Sequence, residues 1–111
     1  MGPIFQVNEA ELGWFDYPAA GTAGGRAEVR VKALTHDAPG VPPVQYVEYS
    51  AGHTDPVHRH DEDEFFIVTE GSMSLDGIEC GVHGVVFVPR DTDYAVRAGP
   101  DGVRYFRVVI P

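Results

Sequence analysis

Residues 52–71 read GHTDPVHRHDEDEFFIVTEG, and the rest of the chain is organised around them. His58 and His60 sit two apart, Glu64 follows four residues later, and an apolar run from Phe65 to Val68 leads to Glu70-Gly71. In an extended strand, residues two apart face the same side, so the two imidazoles would project together about 6 to 7 Å apart. Glu64, at the start of the next strand, would add a carboxylate oxygen. Two nitrogens and one carboxylate suit a divalent transition metal that keeps open coordination positions. A carboxylate turned inward is rarely left unpaired, and a nearby cation is its simplest compensation.

Outward from this stretch, the chain reads as short strands joined by turns. Upstream, residues 27–35 alternate, with Val29, Val31 and Ala33 on one face and Glu28, Arg30 and Lys32 on the other, the pattern of a half-buried strand. Val44 to Ser50 gives another strand after a Pro- and Gly-rich turn. The histidines fall on a short strand over Val57 to Asp61. Downstream, Phe65 to Thr69 is a strand, Glu70-Gly71 a turn, and Ser72 to Leu75 a strand that pairs back. Asp76-Gly77 is a two-residue hairpin signal. Val85 to Val88 and Tyr94 to Arg97 are further strands. Gly99-Pro100-Asp101-Gly102 closes a loop before the last strand, Val103 to Ile110. Before all of these, Glu9 to Leu12 suits one helical turn capped by Asn8. Trp14, Phe15 and Tyr17 need a surface to pack on, either the end of the sheet structure or a partner copy. Thirteen glycines and nine prolines match this reading of many turns and no long helix.

With 111 residues, one domain is expected over 1–111, with a core of about 27–110 and an N-terminal arm over 1–26. Eight basic and 17 acidic residues leave a net charge of −9, which argues against a nucleic-acid partner and against a membrane surface. No apolar run reaches membrane-spanning length. Cys80 is the single cysteine, so no intrachain disulfide can form. No basic-then-apolar leader opens the chain, and Gln6 occupies the place where a myristoylation signal wants Ser or Thr. The expected location is cytoplasmic.

The order Gly52, His58, His60, Glu64, Gly71 resembles the first motif of the cupin superfamily, and the likeness runs on through Asp76-Gly77, Gly84 and Pro89. The resemblance implies an all-β fold, a cupin double-stranded β-helix (jelly roll) closed into a barrel. It also implies one divalent transition metal (Fe, Mn, Ni, Zn or Cu) inside, and small single-domain cupins commonly pair as homodimers. The second motif departs from the family. Gly84 and Val85-Val86-Phe87-Val88-Pro89 match, but Asp91 stands where glycine is usual, Tyr94 where the last metal-binding histidine is usual, and Ala98 where asparagine is common. Aspartate tolerates left-handed backbone, so the loop can survive. Tyr94 is then open to ligating the metal as phenolate or to hydrogen-bonding a substrate or water. With a phenol pKa near 10, the second role costs less.

The expected metal ligands are thus His58, His60 and Glu64, with Tyr94 and Glu64 as catalytic groups. Phe66 and Val68 share the parity of Glu64, and with Tyr46, Phe87 and Tyr94 they are expected to wall a small, mostly apolar pocket. The leading expectation is a metal-dependent enzyme, a dioxygenase-type oxidoreductase acting on a small oxygen-bearing organic substrate. The alternatives are a non-catalytic binding module for a small metabolite or metal, or a metal-dependent isomerase or lyase. An interaction role is compatible with any of these, with Trp14, Phe15 and Tyr17 as a dimer surface.

Overall fold

The computed structural model describes residues 4–111; the Met1-Gly2 start considered above lies outside the described residues. Ten strands follow in chain order: β1 (Phe15–Asp16), β2 (Thr22–Ala23), β3 (Arg26–Ala27), β4 (Val29–Ala33), β5 (Val44–Tyr49), β6 (Thr54–His58), β7 (Asp63–Leu75), β8 (Ile78–Cys80), β9 (Val85–Val88) and β10 (Tyr94–Ile110). A 3-10 turn over Glu9–Glu11 precedes them, and the Asn8 side chain accepts from the Ala10 amide at its start.

Two long strands carry the architecture. β7 and β10 pair antiparallel along nearly their whole length. Their outer halves support different neighbours. The second half of β10 also pairs with β5, and β5 with β4. The first half of β10 pairs instead with β6. On the other side, β7 pairs with β9 through Glu64–Ile67 and with β8 through Met73–Leu75. Two leaves therefore share one bent ribbon, and the apolar core lies between them, with Phe66, Val68, Met73, Leu75, Val96 and Tyr105 all buried.

Two turns read from the sequence do not reverse the chain. Glu70-Gly71 lies inside β7, and Gly99 to Gly102 lies inside β10. Gly71 and Gly102 adopt φ of +70° and +79°, and the β7–β10 register slips between Ala98 and Val103. The glycines bend each strand through a bulge, which passes it from one leaf to the other. Asp76-Gly77 does make its hairpin: both residues have positive φ and Leu75 pairs with Ile78, as a type I′ turn requires.

The closed barrel expected from the sequence does not form. The main sheet runs β1-β4-β5-β10-β7-β8, and its two ends do not pair with one another. Closure needs strands long enough to meet in register. Here the terminal strands are two and three residues long, and β6 contains Pro56, which has no amide to donate. The result is an open, folded-over β-sheet.

On the outer face, Glu48 accepts from Arg26, Arg30 and Arg104 at 2.7 to 2.9 Å. Burial alone would raise the Glu48 carboxyl, but the Arg104 and Arg30 hydrogen bonds and charges outweigh it and hold the group below its ordinary value. A carboxyl depressed in the folded state adds stability in full above its unfolded value and loses it as pH falls through the folded one. Stability should therefore fall as the pH drops below about 4.5, through the folded-state titration of Glu48. In Glu48→Gln that part of the acid limb should flatten. A Glu48→Gln profile parallel to the parent would show that other carboxyls carry the acid limb.

Candidate functional site

Glu64 is the second residue of β7 and opposes Val109 of β10 and Val88 of β9. Its parity with Phe66 and Val68 turns it inward, and it is fully buried at 0% exposure. Three groups face its two oxygens. The Tyr94 hydroxyl donates to Oε1 at 3.0 Å, and Arg107 Nε donates to Oε2 at 2.5 Å. His60 Nε2 stands 3.9 Å from Oε1, outside hydrogen-bond reach. Arg107 also donates through Nη1 to the Gln45 side-chain oxygen at 3.2 Å.

The two histidines do come together. His58 ends β6, and His60 lies in the following loop, beyond the strand predicted to carry both. Their ring centroids are 5.1 Å apart and nearly perpendicular. The Tyr94 ring lies 4.4 Å from His58 and 6.2 Å from His60. His58 Nδ1 is 2.8 Å from the Pro56 carbonyl oxygen. A carbonyl only accepts, so Nδ1 carries the proton and the Nε2 of the neutral ring is an acceptor. The loop beneath is tied by the Asp91 amide donating to the His60 carbonyl, and Asp91 has φ of +59°, the left-handed conformation that its place in the motif demands.

These groups form one wall of a cavity of about 520 Å³. His58, His60, Tyr94 and Arg107 stand on that wall, with Phe66 and Tyr105 beside them and Val29, Val31 and Val47 opposite. The other residues expected in the pocket lie elsewhere. Val68 is packed in the core at 0% exposure. Tyr46 is on the opposite face, stacked on Trp14 and hydrogen-bonded to Thr69. Phe87 is half exposed and pairs with Phe65. The aromatic arm divides: Trp14 goes to Tyr46 beneath Arg30, Lys32 and Arg104, while Phe15 and Tyr17 reach the cavity.

Sequence reasoning missed three participants. Arg107 lies on the last strand and shares the buried parity of Val103, Tyr105 and Val109. An arginine on the inner face of a strand calls for an acid, and that was the available signal. His53 is buried at 4%, with Nε2 2.9 Å from Asp55 and Nδ1 3.3 Å from Glu28. Asp55, a cavity residue, also accepts from the Tyr49 hydroxyl. His53 and Asp55, two residues apart, share a side of the extended chain, and that spacing was the available signal; Tyr49 joins them from the preceding strand.

Solved structures of the same shape are known. A chain from the structure of Rhodobacter sphaeroides SigE in complex with the anti-sigma ChrR superposes with a TM-score of 0.70 at 16% identity, over 90% of this chain and 50% of that one. The chain thus spans half the length of that relative. An RmlC-like cupin protein from Ralstonia eutropha gives a TM-score of 0.78 at 16% identity, over 96% and 68%. The fold is a cupin fold. The polyketide cyclase RemF from Streptomyces resistomycificus shares it as well, with a TM-score of 0.74 at 22% identity, over 96% of this chain and 79% of that one. No family model matches the chain, and no curated protein matches it. At these identities the likeness concerns the fold alone.

On this cupin fold the expected metal centre is not built. Among the described residues, no group of three or more His, Cys, Asp or Glu side chains is placed to hold a metal ion. The physical reason lies with Glu64. Both its oxygens are engaged, and the Arg107 guanidinium already neutralises it. A divalent ion there would meet a fixed positive charge at contact range. Tyr94 offers no phenolate either, because burial first, and then the Glu64 carboxylate, push its hydroxyl well above the ordinary phenol value. The metal held by His58, His60 and Glu64, the metal-dependent enzyme and the dioxygenase chemistry expected from the motif are all corrected by this arrangement.

Proposed function

We propose that the chain is a small-molecule binding module, with residues 1–111 as one cupin domain and the N-terminal arm at the mouth of its cavity. The observation that carries this reading is the cavity of about 520 Å³ between the leaves. It is large enough for a metabolite, its walls are mostly apolar and aromatic, and its polar groups converge from His58, His60, Tyr94 and Arg107. That is the usual composition of a small-molecule site. Glu64 is held between Arg107 and Tyr94 by hydrogen bonds to both its oxygens, so in this reading it fixes the shape of the wall.

The reading is tested by thermal denaturation of the full chain with a panel of aromatic and aliphatic compounds of metabolite size. A ligand at a hundred times its dissociation constant should stabilise the fold by about 2.7 kcal/mol. Ala20, partly buried at the cavity, supplies the control. Ala20→Trp places an indole in the opening and should abolish the shift while leaving the unliganded transition in place. A shift that survives Ala20→Trp would put the binding elsewhere, and a panel without any shift would overturn the module reading. Among the described residues, no helix is long and apolar enough to cross a membrane.

A further inference from the structure

The polar end of the cavity is chemically asymmetric, and the asymmetry selects a ligand. Arg107 uses Nε on Glu64 and Nη1 on Gln45. Its remaining terminal nitrogen has no protein partner among the described residues. It is also not among the buried side-chain atoms left without a partner, of which Ser50 Oγ is the one found. It therefore keeps accessible surface on a side chain that lines the cavity, and a guanidinium nitrogen can only donate. His58 presents the opposite character. Its Nδ1 proton is committed to the Pro56 carbonyl, which leaves Nε2 as an acceptor without a partner. One wall thus asks for an acceptor oxygen at one point and a donor hydroxyl at another.

Charge narrows the class further. Arg107 is balanced by Glu64, and Asp55 is held by His53 and by the Tyr49 hydroxyl. No uncompensated cation on this wall would repay the desolvation of a ligand carboxylate. A neutral carbonyl and a neutral hydroxyl meet the same bonds without that cost. The remaining surface is largely apolar and aromatic: Phe66, Tyr94 and Tyr105 line it with their rings tilted or edge-on to one another, and Phe15 and Tyr17 at the mouth are 50% and 52% exposed. Rings set at such angles offer edges as well as faces to an aromatic body.

Resting on the binding-module reading above, we infer that the cavity takes a mostly apolar aromatic compound bearing both a hydroxyl and a carbonyl. The hydroxyl donates to His58 Nε2, and the carbonyl accepts from the free nitrogen of Arg107. A hydroxylated aryl ketone is the simplest member of this class.

The test is equilibrium binding to the full chain by calorimetry. The probes are naphthyl methyl ketone, its ring-hydroxylated isomers, naphthol and naphthoate. At least one hydroxylated ketone should bind about tenfold more tightly than both naphthol and the plain ketone, the worth of one added hydrogen bond. In His58→Phe that advantage over the plain ketone should vanish, while the plain ketone still binds. His58→Gln, which keeps an acceptor oxygen, should recover part of it. If the plain ketone binds as tightly as every hydroxylated isomer, the ligand class is overturned and the binding-module reading stands. Tightest binding by naphthoate would overturn the neutral-ligand argument. Absence of binding by all the probes would overturn the class, and the wider thermal panel then decides separately whether the module reading falls too.

Discussion

Replacing Arg107 by methionine should destabilise the fold by about 3–5 kcal/mol, the cost of leaving a buried charge without its partner. Glu64 has no exposed surface, and Arg107 is its one cationic hydrogen-bond donor. Without the guanidinium, the carboxylate must either take up a proton or draw water into the wall. The double variant Glu64→Gln/Arg107→Met should recover most of the loss, because an amide keeps the Tyr94 hydrogen bond and no charge remains to be solvated. Urea denaturation of the parent, the two single variants and the double variant gives the coupling directly. Single and double variants of equal stability would show that Arg107 contributes by packing alone, and that the compensation assigned to it is wrong.

Gly71→Ala should be nearly as damaging, at about 3 kcal/mol or more. Gly71 has φ of +70°, and a Cβ there would lie 2.1 Å from the Gly102 carbonyl oxygen and 2.9 Å from its carbon. Both are backbone atoms of the facing strand, so no side-chain rotation relieves the clash. The bulge that passes β7 from one leaf to the other would have to open. Gly77→Ala is the matched control. Its φ is +84°, but nothing lies within 4 Å of the new Cβ, so the change should cost only about 1–2 kcal/mol of backbone strain. Equal losses in the two variants, measured by chemical denaturation, would mean that left-handed strain matters and the close approach of β7 to β10 does not.

Much of the strand content was legible in the sequence. Alternation marked β4 and β5, the Asp-Gly pair marked the β7–β8 hairpin, and the His58, His60, Glu64 spacing marked the cavity wall. Those signals are local: they depend on side-chain parity over a few residues and on backbone angles that few residue types tolerate. Parity also turned Glu64 inward, and the general argument that it needs a cation was sound. The identity of the cation was the part that failed. A metal and an arginine from another strand satisfy the same requirement, and only the pairing of β7 with β10 distinguishes them.

The same holds for the two glycine turns. Glu70-Gly71 and Gly99 to Gly102 carry ordinary reversal chemistry, yet each becomes a bulge, because the chain on both sides finds its partner in one continuous ladder.

By itself the sequence determined an all-β chain of short inward-and-outward strands, a hairpin at Asp76-Gly77 and an imidazole pair beside an inward carboxylate. All follow from steric preference and period-two patterning within a few residues. Tertiary structure alone decided that the sheet stays open, that His53 is buried between Glu28 and Asp55, and that Arg107, 43 residues from Glu64, takes the place expected for a metal. Those outcomes depend on which distant strands lie side by side, and an electrostatic requirement written at one position does not name the residue that will meet it.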